Sequence, residues 1–229
     1  MEPLLQRLTD KDYNLLLMNS RKMDVNKGET IYNEGDMVDY FYFIHTGEIR
    51  LFKRTGPNKE LTIFTRGEDD AFGEIGIFSG LKYSNIADAI IDSELYCMEK
   101  RTLENILTDN GGLGLQFTRW VAESLEASKA KIRDYISFGS EGAVASVFIR
   151  YSNMYGVVKP DGVCITEPIM IQDISKHIGI SRETVSRIVN KWKERGIIDS
   201  DNKYYMLKKM DYFKQLLVCE QCGVENCVL

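Results

Sequence analysis

Apolar and polar positions along the chain change rhythm twice. At the N-terminus, Thr9 precedes a short helical run whose acids Asp10 and Asp12 fall in the first turn, where the helix dipole favours them. From about Arg21 to the neighbourhood of Cys97 the apolar residues fall in short β-type runs: ETIYNEGD, DYFYFIHTGEIRLFKRTG, ELTIFTRGEDD and GEIGIF. Gly28, Gly35, Gly47, Gly56, Gly67, Gly73, Gly76 and Gly80 punctuate them. Many short strands with turn signals about ten residues apart predict a sandwich or a barrel, and the pattern does not choose between them. After Thr102, taken as a helix cap, the period becomes helical. A brief segment stops at Asn110-Gly111-Gly112, and a long helix is predicted from about Leu113 to Ile136, ending before Gly139. Within it Phe117, Val121, Leu125, Ser128, Ile132 and Tyr135 form an a/d-like seam, suited to packing on its own domain or to a two-chain coiled coil.

From Met170 the chain reads MIQDISKHIGISRETVSRIVNKWKERGII. Ile171, Ile174 and Ile178 share one helical face, Gly179 permits a tight turn, and Ser181 suits the N-cap of a second helix. Val185, Ile188, Val189 and Trp192 face inward along that helix, and Gly196 stops it. Two helices joined by a glycine turn, the second densely basic, predict a helix-turn-helix. Arg182, Glu183, Ser186 and Arg187 lie outward at the N-terminal end of the second helix, the end that meets base edges in such motifs. Lys203 to Leu207 reads as a strand after a turn, consistent with a wing.

Composition sharpens the reading. A length of 229 residues suits two small domains. Net charge is −5, but residues 171–209 hold nine Lys and Arg against five Asp and Glu, so that segment is +4 and the remainder −9. A basic C-terminal domain on an acidic partner is the asymmetry of a regulator with one DNA-reading face. No apolar run approaches the roughly 18 residues of a membrane span, and the N-terminus lacks an apolar signal region, so a cytoplasmic protein without a membrane partner is expected. His45 and His177 are the only histidines, and neither has a Ser or Cys arranged with it as nucleophile and base, so no enzyme is expected.

With these residues in view the chain resembles the Crp/Fnr regulators over nearly its whole length. ISRETVSRIVNKWKERGII is similar to their recognition helix, FYFIHTGEIRLF and GEIGIFSG to their cyclic-nucleotide-binding-type β-roll, and Leu113 to Ile136 to their dimer helix. The resemblance implies an α+β fold: a β-roll (jelly roll) with flanking helices over 1–112, a dimerisation helix over 113–138, a winged helix-turn-helix over 139–209, and a C-terminal helix and tail over 210–229. It also implies a homodimer on a palindromic double-stranded operator, and RNA polymerase as a partner. A TGTGA-type half-site is expected, because Arg182 and Arg187 can each pair with guanine and Glu183 can accept from cytosine. Nucleotide-binding members hold the cyclic phosphate with an Arg-Ser pair. Here Gly73-Glu74-Ile75-Gly76 is kept, but Gly80-Leu81-Lys82-Tyr83-Ser84 lacks the arginine, so cyclic-nucleotide sensing is not expected.

The tail offers a different sensor. Residues 211–218 read as a short amphipathic helix, and Cys219, Cys222 and Cys227 follow in C-x2-C-x4-C spacing. Three thiolates so grouped suit an iron–sulfur cluster or zinc, and free thiols or a disulfide switch are the plain alternative. Cys97 and Cys164 stand alone in apolar runs and read as buried filler. The tail is similar to that of the Bacillus-type Fnr branch, whose resemblance implies a [4Fe–4S] cluster that makes the protein an oxygen-responsive activator. It also implies an aspartate near the end of the dimer helix as fourth ligand, and Asp134 matches, with Asp109 and Glu225 as alternatives. The competing function is a regulator gated by a small molecule in the β-roll, with a zinc or redox-thiol tail.

Overall fold

The computed structural model describes residues 2–57, 59–80, 82–221 and 227. The chain forms two compact units, one of residues up to 53 and 63–124, the other of 54–62 and 125 onward.

The first unit begins with α1 (Asp10–Met18), which Thr9 caps by accepting from the Asp12 N–H at 3.2 Å. Eight strands follow along the chain, the end of β4 and the start of β5 being grouped with the second unit: β1 (Arg21–Val25), β2 (Thr30–Tyr32), β3 (Tyr40–Thr46), β4 (Ile49–Gly56), β5 (Lys59–Arg66), β6 (Ala71–Phe72), β7 (Ile86–Ala89) and β8 (Ser93–Glu99). The short helix α2 (Glu74–Ser79) sits between β6 and β7. They form two four-stranded sheets, ordered β1-β8-β3-β6 and β2-β7-β4-β5, which is the two-layer β-roll. Strand β3 is buried on both faces because successive side chains alternate. Phe41 packs against Phe43, Phe117 and Trp120, while Tyr42 turns the other way onto Tyr32 and stacks on Phe72.

Helix α3 (Lys100–Asp109) starts before the expected cap at Thr102: Glu99 occupies the N-cap without a side-chain bond, and Thr102 lies inside the helix. Asn110 is its C-cap, yet Gly111 and Gly112 already belong to α4 (Gly111–Ser137). The seam along α4 also differs from expectation. Phe117 is buried among Phe41, Phe78 and Trp120, and Tyr135 packs on the core of the second unit. Leu125 and Ile132 of the expected seam are exposed and are joined by Ile136, with Ala122 and Lys129 on the same stripe. These steps of three and four residues keep the heptad period and the positions of Leu125 and Ile132 but exclude Phe117 and Tyr135, because the aromatic rings find partners within their own chain.

In the second unit Gly139, at φ +62°, allows the chain to leave α4 and enter α5 (Gly139–Tyr155), a helix without a polar face to announce it: residues 142–150 are all buried. Then come β9 (Gly156–Lys159), β10 (Gly162–Ile165), α6 (Ile171–Ile178), α7 (Arg182–Glu194), β11 (Ile198–Asp201), β12 (Tyr204–Leu207) and α8 (Met210–Leu216). The four strands pair in the order β11-β12-β10-β9. Phe148, Trp192, Tyr205 and Phe213 meet edge-on or tilted at the centre, each burying its ring. No described helix is long and apolar enough to cross a membrane.

Candidate nucleic-acid interface and cysteine tail

The turn between α6 and α7 is built by two local devices. Gly179 takes φ +69°, a conformation in which a side chain would be strained, and the Ser181 hydroxyl accepts from the Thr184 N–H at 3.2 Å. Ile174 and Ile178 of α6 and Val185, Ile188, Val189 and Trp192 of α7 are buried, which fixes the outward face of α7. Arg182, Glu183 and Arg187 are exposed on that face and Ser186 is half-buried. A shallow open groove along it is lined by Glu183, Ser186, Arg187, Asn190, Lys191 and Glu194. Asn190 is thus added to the expected set, and its place two turns beyond Glu183 was readable from helical spacing. The Glu183 carboxyl is held below the ordinary carboxylate range, first by its own backbone N–H and then by Ser181, so it stays an acceptor. The face offers charged donors and acceptors in the arrangement that reads base edges in a major groove.

At the other end of the unit, Asp134 is not the exposed helix acid that a lone aspartate usually is. It is 2% exposed. Its Oδ1 accepts from Arg133 at 2.7 and 3.1 Å, and its Oδ2 from Ser146 at 2.7 Å and from Arg150 at 3.1 Å. Arg133 also donates to the Leu217 carbonyl at 3.2 Å, so one guanidinium joins Asp134 to the base of the cysteine tail. Cys219 and Cys227 are half-buried against the same apolar core as Tyr135, and the Cys227 carbonyl accepts from Asn153 at 2.7 Å. Burial pushes the Tyr135 hydroxyl up to about 12; Arg150 opposes the rise, while Asp134 and Cys227 add to it. Cys222 and Glu225 lie outside the described residues, and Asp109 is exposed at the end of α3. Among the described residues no three Cys, His, Asp or Glu side chains come together as a metal-binding group. Cys97 is buried in β8, its thiol donating to the Arg21 carbonyl at 3.3 Å, and Cys164 is half-buried in β10.

Residues 22–110 match the cyclic nucleotide-binding domain family and residues 143–216 the Crp-like helix-turn-helix domain family. The chain is 33% identical to the anaerobic regulatory protein of Bacillus subtilis over 94% of its own length and 91% of that protein's. It is a Crp/Fnr family transcription regulator. A CRP-like cAMP-activated global transcriptional regulator of Mycobacterium tuberculosis is 24% identical over 81% of this chain and 83% of its own. A solved CooA variant from Carboxydothermus hydrogenoformans shares the fold, with a TM-score of 0.80 at 19% identity, covering 94% of this regulator and 96% of that chain.

In the β-roll of this Crp/Fnr regulator, the Gly73-Glu74-Ile75-Gly76 segment packs against the chain's own tyrosines. Tyr83, in the segment that lacks the arginine, stacks on Tyr32 with centroids 3.7 Å apart and donates its hydroxyl to the Tyr40 carbonyl at 2.6 Å. The space bounded by Tyr32, Gly73, Glu74, Gly76, Tyr83 and Asn85 has no room for a water molecule. Glu74 is buried there, and desolvation raises its carboxyl above the ordinary range despite the nearby Arg66 charge. A phosphate would meet a buried acid and two stacked phenols rather than a guanidinium.

Proposed function

We propose that this regulator responds to oxygen through a [4Fe–4S] cluster held by Cys219, Cys222, Cys227 and Asp134, and that it binds a palindromic TGTGA-type operator as a dimer while the cluster is intact. The observation that carries the reading is the Arg133 guanidinium shared between Asp134 and the Leu217 carbonyl, two residues before Cys219. The donor set fits: three thiolates are the ligands such clusters prefer, and a carboxylate offers a weaker oxygen at the fourth position. Asp134 is ion-paired on both oxygens here, so ligation requires it to give up at least one of its partners, and Arg133, partly exposed, is the one that can turn to water. When bound, the cluster supplies an oxygen-labile redox centre.

The chain's own residues do the rest. Cys219, Cys222 and Cys227, once tied to Asp134, hold the end of α8 against α4 by a link that does not depend on the weak helix propensity of seven residues. Released thiols leave α8 to its own packing and hydrogen bonds, those of Tyr212, Phe213 and Leu217 among them, and the ordering contribution of the tail to the DNA-reading fold is lost. The stripe through Leu125, Ile132 and Ile136 meets its copy on a second chain, which presents two α7 helices to successive major grooves, as a palindromic operator requires. Kinship with an anaerobic regulatory protein supports the same direction of response.

Anaerobic purification tests the reading. A brown protein with about four irons and four sulfides per chain, whose operator affinity falls after exposure to air, is expected. A colourless protein carrying stoichiometric zinc would overturn it.

A further inference from the structure

One carboxylate hydrogen-bonds both the recognition helix and the helix that leads into the cysteines. Glu141, in the first turn of α5, accepts on Oε1 from the Trp192 indole N–H at 2.9 Å and from the Tyr212 hydroxyl at 2.7 Å. Its Oε2 accepts from Lys191 at 3.2 Å. Trp192 and Lys191 belong to α7, and Tyr212 belongs to α8. The contact is reinforced by the Trp192 ring edge-on to Phe213 at 5.1 Å and by the Arg195 guanidinium 5.3 Å from the Tyr212 ring centre.

We propose that Glu141 is a positioning residue through which the order of the C-terminal helix sets the placement of the recognition helix. Trp192 is fully buried, so its N–H depends on Glu141 rather than on water for an acceptor. Tyr212 shares the oxygen that Trp192 uses and so fixes the rotamer of the Glu141 side chain. When α8 is ordered, the carboxylate is clamped toward α7 from both sides. When α8 frays, Tyr212 withdraws, and Glu141, 30% exposed on its side chain, can turn to solvent and leave the C-terminal half of α7 less firmly seated. Arg182, Glu183 and Arg187 lie on that same helix, so a change in its seating alters their aim at base edges. What orders the tail rests on the cluster reading above; the Tyr212–Glu141–Trp192 link does not.

The test uses the full-length protein, a labelled duplex carrying the palindrome it selects, and a random-sequence duplex. Tyr212→Phe keeps the ring and removes only the hydroxyl. It should weaken operator binding roughly ten-fold while leaving random-duplex binding unchanged. Adding Cys222→Ser to Tyr212→Phe should weaken binding much less than Cys222→Ser does alone, because both act through one link. Glu141→Gln, which keeps an acceptor oxygen for Trp192, should bind the operator better than Glu141→Ala. Fully additive losses, or equal loss on both duplexes, would overturn the proposal. If Cys222→Ser alone leaves operator affinity unchanged, the cluster reading fails, and Tyr212→Phe alone then decides the link: a ten-fold loss of operator preference supports it and no loss overturns it.

Discussion

Asp134 and Arg150 form an ion pair inside the second unit, the fully buried Arg150 guanidinium donating to Asp134 Oδ2 at 3.1 Å. Deleting one member breaks a buried ion pair, which costs about 3–5 kcal/mol. Asp134→Ala should therefore destabilise the protein even in a Cys222→Ser background, as read by denaturant unfolding. The double replacement Asp134→Leu with Arg150→Met removes both charges and should recover most of that loss. In this stable double variant a ligand role for Asp134 predicts faster loss of the visible absorbance in air. Unchanged decay and unchanged operator affinity would confine Asp134 to the ion pair.

Cys219→Ser, Cys222→Ser and Cys227→Ser should each lose bound iron and most anaerobic operator affinity, because a hydroxyl rarely replaces thiolate at iron. Cys97→Ser and Cys164→Ser should keep both, since these thiols lie in β8 and β10. Iron and sulfide analysis of anaerobic preparations is the measurement. Equal loss in Cys97→Ser and Cys222→Ser would sink the tail as the ligand set.

Arg182→Ala should relax preference at one guanine of the half-site, costing about 1–3 kcal/mol there. Asn190→Ala, on the same groove, should weaken operator binding by less. Selection from a random duplex library reads the preference directly, and half-site centres should lie about one helical turn apart. A guanine-free or asymmetric motif would contradict the roles given to Arg182 and Arg187.

Ile132→Glu should convert a dimer to monomer in sedimentation, because it places a charge on the exposed stripe between Leu125 and Ile136. Phe117→Ala should act differently, lowering the stability of the first unit by about 3–5 kcal/mol through a cavity beside Phe41 and Trp120. Monomers from Phe117→Ala with unchanged stability would restore the seam through Phe117 and Tyr135.

Stability should fall in acid partly through Glu141. Burial alone would raise its carboxyl, but hydrogen bonds from Tyr212, Trp192 and Lys191 together hold it below the ordinary range. A depressed folded value means that this contribution is fully present above the unfolded carboxylate pKa of about 4.3 and is lost as pH falls through the lower folded value. Glu141→Gln should show a shallower loss between about pH 5 and pH 3 by denaturant unfolding. An unchanged slope would mean that the three donors do not favour the charged form.

The parts legible in the sequence are those whose causes are local. Thr9 and Ser181 cap helices through bonds to residues three positions on, Gly179 turns the chain because only its own φ demands it, and the buried face of α7 follows from a period of 3.6. The cysteine spacing and the basic outward face were equally readable, being properties of neighbouring residues. Helix α5 was missed as an element because burial on nearly every side erases the polar stripe that gives helices away. The seam of α4 was legible at Leu125 and Ile132 but not at its ends, since periodicity shows that a stripe exists but not whether Phe117 will be claimed by Phe41, 76 residues earlier, or by a second chain. Asp134 is the clearest division. Its place near the end of the long helix was pointed to by the resemblance, but its burial between Arg133, Ser146 and Arg150 depends on how α4 and α5 pack. So does the meeting of Glu141 with Tyr212, 71 residues away. Local chemistry is written in order along the chain, whereas a buried charge acquires its partners only when distant segments close around it and exclude water.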